Sequence, residues 1–285
     1  MNTRIAYTNL RGESIELGCG GALHYLEHEL RDWRWHYSTG AASGKVASFS
    51  RGAPKELTFP VGIAAATAEE GIALRNRLLA IGEPDVAASE PGRLEVGSEG
   101  WHLRCWIIGG EPTSYWMDDR YAEFELTLLV ESPVWTRETE VRFKPAVEES
   151  GGVDFEFDFE FDFMAESGAR SVSNDGMSSC DWLWRVYGPA SSPQVRIGGN
   201  LHRVNVGVPD GARLEVDSAR RSVRVVHDDG RVEDAYSKRE RGGKGSGSYL
   251  FEKVPEGDSM VAWNGSYSFD VVLREERAAV PYEIG

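Results

Sequence analysis

The chain has 285 residues, 41% of them hydrophobic, a formal net charge of −15 and three cysteines, Cys19, Cys105 and Cys180. That length and apolar content suffice for one large or two ordinary domains. The charge argues against a nucleic-acid surface of the usual basic kind, and cysteines so few and far apart fit a reducing compartment better than a disulfide or zinc framework.

Met1 to Glu16 is polar and mixed, and no apolar run approaches the roughly 20 residues of a membrane helix, so the sequence reads as soluble, with no recognisable signal segment. Asn2 to Leu17 places Ile5, Tyr7, Ile15 and Leu17 around Asn9-Leu10-Arg11-Gly12, which predicts a hairpin. Ala22 to Arg34 is compatible with a helix by composition, but Trp33, Trp35 and Tyr37 alternate as in a strand. Gly40 to Gly44, Pro54 and Pro60 bracket a further pair of strands around Val46 to Phe49 and Leu57 to Phe59.

Thr67 opens the one strong helix, because it is a good N-cap and Glu70 three residues on completes a capping box. Leu74, Leu78 and Ile81 line one face with Ile72 and Leu79 flanking, Gly82 is placed as a C-cap, and Pro84 is expected to stop the helix. Strands follow at Leu94 to Val96, Leu103 to Ile108 and Ala122 to Val130, separated by loops at Gly97 to Gly100 and Gly109 to Met117. Trp135 to Pro145 reads as a bridge, and the Glu/Ser/Gly-rich Ala146 to Gly152 as the boundary between domains 1–145 and 153–285.

Val153 to Phe163 alternates five phenylalanines with Asp and Glu at a strict period of two, which predicts a strand with one buried and one wet face. Ala165 to Cys180 is small and polar, hence a loop. From Asp181 to Tyr282 nearly every break between apolar alternations carries a turn signal: Gly188-Pro189, Gly198-Gly199-Asn200, Pro209-Asp210-Gly211, Asp228-Asp229-Gly230, Pro255-Glu256-Gly257. Short antiparallel strands joined in this way predict a β-sandwich or jelly roll. The whole chain is therefore expected to be mainly β, with one packed helix in its N-terminal domain.

Chemistry-bearing candidates each have a plainer explanation. Asp154, Glu156, Asp158, Glu160 and Asp162 on one strand face stand about 6.8 Å apart, unlike the tight Gly-centred turn of a calcium loop, and read as a solvated face. His24 and His28 would share a helix face, but Tyr25 stands where a zinc protease has its Glu and no third ligand is evident. Gly245-Ser246-Gly247-Ser248 is a flexible loop rather than a nucleophile elbow, and Gly198-Gly199 is too short to cradle phosphate. No catalytic, cofactor or metal residue is assigned, so the sequence is read as a non-enzyme. Trp101, Trp116 and Trp135 lie near predicted loops and are candidates for a surface role. Lys238-Arg239-Glu240-Arg241-Gly242-Gly243-Lys244 is the one locally basic stretch and a candidate for docking an acidic neighbour.

The strings Val186-Tyr187-Gly188-Pro189-Ala190, Ile197-Gly198-Gly199-Asn200, Tyr249-Leu250-Phe251-Glu252-Lys253-Val254-Pro255-Glu256-Gly257, Trp263-Asn264-Gly265-Ser266-Tyr267-Ser268-Phe269-Asp270-Val271 and the closing Leu273-Arg274-Glu275-Glu276-Arg277, in that order, resemble the C-terminal half of the distal tail proteins of long-tailed bacteriophages. Asp32-Trp33-Arg34-Trp35, the capped helix and Leu126 to Trp135 agree in kind and order with the N-terminal half. The resemblance implies a ring-forming N-terminal domain and a galectin-like C-terminal sandwich. It implies a virion protein, made in the host bacterial cytoplasm, that forms a hexameric ring at the tail tip. Its partners would be the tail tube protein, the tail-associated lysin or tail fibre hub, and a receptor-binding protein, with DNA passing through the lumen without specific binding. Asp118-Asp119 and the Glu95 to Glu99 turn are the candidates for an acidic lumen lining. A glycan-binding β-sandwich module of a cell-surface or secreted protein is the alternative reading.

Overall fold

The structure, a computed structural model, describes residues 3–18, 20–40, 44–50, 54–113, 118–145 and 171–282. The fold is mainly β. Two compact units emerge: the first runs to Arg137 and takes in the residues from Glu276 onward, the second runs from Glu138 to Glu275. The expected boundary segment 146–152 and the Phe/acidic segment 153–163 lie outside the described residues.

The strands of the first unit follow one another across an antiparallel sheet in the order Leu23–Tyr25, Lys55–Ala64, Tyr121–Val130, Trp101–Pro112, Gly92–Val96, Ile5–Thr8, Ser14–Glu16. Trp101–Pro112 pairs through its first half with Gly92–Val96 and, at His102, with Thr136, and through its second half with Tyr121–Val130, where the register slips between Ile107 and Gly109. Gly109 and Gly110, expected in a loop, continue the strand at this irregularity. Alternation then does the rest. Phe124, Leu126 and Leu128 turn inward to meet Phe59, Val61 and Ile63, and one apolar core gathers them with Tyr7, Leu94, Leu103 and Leu78. The predicted Asn9–Gly12 hairpin forms as read, with Gly12 at positive φ. Pro60, expected to bracket a strand, lies inside Lys55–Ala64 opposite Glu125. Trp33 and Trp35 precede the strand they were expected to join, which starts at His36.

The helix spans Ala68–Ala80. The Thr67 hydroxyl accepts from the Glu70 amide (3.2 Å), and the Glu70 carboxylate reaches back to the Ala66 amide (2.8 Å), so two otherwise orphaned donors are satisfied. Gly71 allows a close approach, since a Cβ there would strike the Asp119 carbonyl. The helix stops where Gly82 and Pro84 were expected to stop it, with Ile81 rather than Gly82 as its C-cap, and a separate short helix follows. Gly82 has an ordinary right-handed φ of −89° and is needed because a Cβ would come within 2.9 Å of the Ile107 Cβ. Pro84 sits in the first turn of a second helix, Glu83–Ala88, where its missing N–H costs nothing. That short helix is held by buried Asp85, which accepts from the Tyr7 hydroxyl (2.5 Å) and the Leu10 amide (2.7 Å). Gly92 leaves the room this pair requires.

In the second unit two sheets enclose one core. One runs Val232–Asp234, Ser222–Val226, Arg213–Asp217, Asp181–Tyr187 and then Phe269–Arg277; the other runs Ser171–Asn174, Gly257–Ala262, Gln194–Ile197, Asn200–Arg203. This is the expected sandwich. Trp182, Trp184 and Val186 face inward and pack with Phe143, Val195, Val261 and Phe269. One reading is corrected here and another sharpened. Ser171–Asn174, expected as loop, is a strand whose Val172 enters the core and whose Asn174 amide donates to the Ser178, Val254 and Pro255 carbonyls. Trp135–Phe143, expected as a bridge, carries the chain from the first unit into the second as read, and does so as a strand that ends in buried Phe143 stacked on Phe269.

His202 gives this core a pH dependence. Its Nδ1 donates to the Leu250 carbonyl (2.8 Å), its Nε2 accepts from Asn200 (3.1 Å), and its ring meets the edge of Trp182. Burial lowers its pKa to about 4, against about 6.5 in an unfolded chain. As pH falls from 6.5 towards 4 the unfolded chain takes up a proton that the folded one refuses, so stability present above pH 6.5 is lost across that window. Going from pH 7 to pH 4.5, this histidine alone is expected to remove roughly 2 kcal/mol. Denaturant titrations at both pH values should show that loss shrink by a like amount in His202→Gln; an unchanged difference would refute the assignment.

Candidate assembly surfaces

The residues that might have carried chemistry have structural duties. Residues 22–30 are not helical: His24 lies on strand Leu23–Tyr25 with its Nε2 in space kept open by Gly62, while His28 packs between the rings of Tyr25 and Phe59. Burial lowers the pKa of His28. Gly198-Gly199 turns between paired strands, and the Gly245 amide is tied to Glu252 (3.0 Å). Cys105 and Cys180 are buried free thiols whose pKa burial pushes up to about 12. Among the described residues no three His, Cys, Asp or Glu side chains gather to hold a metal.

Trp101 and Trp135, expected at the surface, are both buried. Each is the first residue of a strand, and the strand's parity turns it inward. The Trp101 ring lies under the Arg137 and Arg277 guanidinium groups (5.2 and 5.1 Å), an arrangement that fixes the ring rather than presenting it. Trp116 lies outside the described residues.

Two other places in the first unit expose apolar side chains. A groove of about 390 Å³ runs between the two helices and the second half of Trp101–Pro112, lined by Leu78, Leu79, Val86, Ile107, Ile108 and Leu126 among others. Its rim is open, with Leu79 57%, Val86 49% and Ile108 44% exposed. Sequence reasoning placed Leu79 as a flank of the buried face and missed Val86, whose helix it did not foresee. The second place is the hairpin of His36–Thr39 and Val46–Ser50, every residue of which is exposed, with Tyr37 at 68% and Phe49 at 66%. A lone two-stranded hairpin is marginal in water. The exposed aromatic side chains of this hairpin make it a candidate contact surface.

Three of the acidic residues proposed from sequence have local cationic partners. Asp118 holds Arg120 (2.6 Å), Asp119 holds Arg75 (3.5 Å) and Glu99 faces Arg137 (3.9 Å); the Arg120 hydrogen bonds lower the pKa of Asp118. A different acidic face was missed. Glu123 and Glu125 alternate outward along Tyr121–Val130, and Glu125 stands directly opposite Glu111 of the adjoining strand. Like charges paired across a ladder are destabilising, so their presence asks for a use outside this unit's stability.

Neither the family models nor the curated proteins contain a match to this sequence. Solved structures do. A chain of the phage P2 baseplate in its activated conformation with Ca superposes with a TM-score of 0.61 at 9% identity, covering 98% of this chain and 100% of that one. The fold is thus that of a phage tail-hub protein. More particularly, the Dit protein of phage SPP1, described as a paradigm of the hub adsorption apparatus in phages infecting Gram-positive bacteria, superposes with a TM-score of 0.56 at 12% identity over 96% of this chain and 99% of that one. The resemblance to distal tail proteins read from the turn strings is borne out at the level of fold.

Proposed function

We propose that this protein is a distal tail protein: six copies form a ring at the tip of a long-tailed phage's tail tube, join the tube to the tip apparatus, and leave a channel for DNA. The observation that carries this reading is likeness over nearly the full length of both chains, through both compact units, to hub proteins. The surfaces support it. A ring needs two different patches on each subunit, because a head-to-tail contact closes only when each copy offers one patch and receives the other. The helix-flanked groove and the exposed hairpin are two such patches on one unit. The reading assigns no catalysis, and the neighbouring structures are structural hub proteins.

The same reading gives the Glu111, Glu123 and Glu125 face a role as lumen lining, since carboxylates repel passing phosphates while basic groups would hold them. The unmodified protein is expected to show no binding of duplex DNA at low salt, where attraction is strongest. Glu123→Lys with Glu125→Lys is expected to keep the ring, to raise affinity for DNA by about two orders of magnitude in 50 mM salt, and to slow DNA ejection from assembled virions. Binding by the unmodified protein, or ejection indifferent to the reversal, would contradict the channel assignment.

A further inference from the structure

The outward face of the four-stranded sheet in the second unit has a character of its own. Register pairs Gln194 with Arg203 and Arg196 with both Leu201 and Ala262, so these side chains share one face, opposite the buried Val195, Ile197, His202 and Val261. A cleft of about 350 Å³ opens there, lined also by Trp263, which packs against the core, and by Asn264. It is already organised. Trp263 is clamped by edge contacts with Phe143 (5.5 Å) and Phe269 (5.1 Å). Arg196 is oriented by donating to the Gly199 carbonyl (2.8 Å), and the Asn264 side-chain oxygen is engaged by Ser266, which leaves the amide NH2 as a donor.

Charge gathers along the same sheet. The basic loop runs beside its outer strand, with Leu201 donating to the Gly247 carbonyl, Glu240 to the Arg203 carbonyl and Asn205 to the Lys238 carbonyl. Exposed Lys238, Arg241 and Lys244 therefore rim the edge next to Arg203. Asp258, the only carboxylate among the described strand residues of this face, lies at the far end of its strand from Ala262. On a chain of net charge −15, this edge gathers more basic than acidic side chains, Glu240 and Glu252 being the carboxylates of the same loop region.

We propose that this face is a binding cleft for an acidic oligosaccharide. An indole ring beside the short apolar floor of Leu201 and Ala262 suits the C–H face of a sugar. Gln194 and Asn264 supply amide groups for hydroxyls, and a guanidinium offers the paired N–H fork that fits a carboxylate. The proposal is independent of the ring.

Titration calorimetry on the full chain tests it with three ligands: a galacturonic acid oligomer, a neutral galactose oligomer of equal length, and a glycerol phosphate oligomer with charge but no sugar ring. The galacturonate oligomer is expected to bind, at least about tenfold more tightly than either other ligand. Arg196→Glu, on an exposed position, should weaken that binding about tenfold or more with unchanged melting temperature; Trp263→Ala should do the same where it folds; Arg231→Glu, on the other sheet's edge hairpin, should leave it intact. No heat with galacturonate up to millimolar concentration, equal binding of the neutral or the sugar-free ligand, or indifference to Arg196→Glu would overturn the inference. Particle mass is measured on the same sample. A ring that ignores galacturonate sinks this proposal alone, and a monomer that binds it sinks the hub reading alone.

Discussion

Gly188→Ala is expected to cost at least about 4 kcal/mol, the range reserved for backbone collisions and buried-core losses, and to lower the melting temperature of the second unit by roughly 10 °C or more. The cause is local. A Cβ at Gly188 would fall onto the backbone carbonyl of Pro209 and close to that of Val208, and backbone is the neighbour least able to yield. Nor can the segment drift away. The Gly188 amide is bonded to the Ala212 carbonyl (2.9 Å), the preceding Tyr187 amide to the Ser268 carbonyl (3.0 Å), and Ala190 pairs with Val208 just beyond. Gly207→Ala, a few residues along the opposing segment, meets open space and serves as the control, with a change within about 1 kcal/mol. Thermal unfolding followed by near-UV circular dichroism separates the two; near-wild-type behaviour of Gly188→Ala would show the turn to be more plastic than its contacts indicate.

Leu79→Glu combined with Val86→Glu is expected to turn a ring into folded monomers. Both side chains stand on the rim of the helix-flanked groove, about half exposed, so the isolated chain loses little by the change. In an assembled ring they would be covered. Losing two such apolar contacts removes roughly 3 kcal/mol or more from each interface, and carboxylates left dry add a desolvation cost, together a weakening of at least a hundredfold per contact. Far-UV circular dichroism should be unchanged while sedimentation shows the monomer. A ring that survives both substitutions would place the contact elsewhere, and Tyr37→Glu with Phe49→Glu on the hairpin then becomes the decisive pair.

What the sequence made legible follows from where its signals are local. The sandwich could be read because Asp181 to Tyr282 writes its turns in Gly, Pro, Asn and Asp, and each tight turn is decided by the few residues within it. Thr67 and Glu70 announced the helix for the same reason. Failures came where the outcome depends on a distant partner. The helix stops before Gly82 as read, but the second helix behind it and the close approach of Ile107 that Gly82 permits were not visible. Trp101 and Trp135 sit beside loops in sequence, yet strand parity and the two flanking arginines bury Trp101. The outward alternation of Glu123 and Glu125 was readable from Tyr121–Val130 alone; that Glu111 faces Glu125 was not, because it requires the register between two strands. The cleft beside Trp263 depends likewise on three strands brought together from separate stretches.

The central claim is that copies of this chain close into a ring, and the most direct test is the mass of the purified 285-residue chain in solution, by native mass spectrometry with images of the same sample. The account predicts a particle of six times the 31.5 kDa chain, or stacked pairs of it, with a central opening. A particle of a single 31.5 kDa chain at high protein concentration, with no ring in the images, would contradict it.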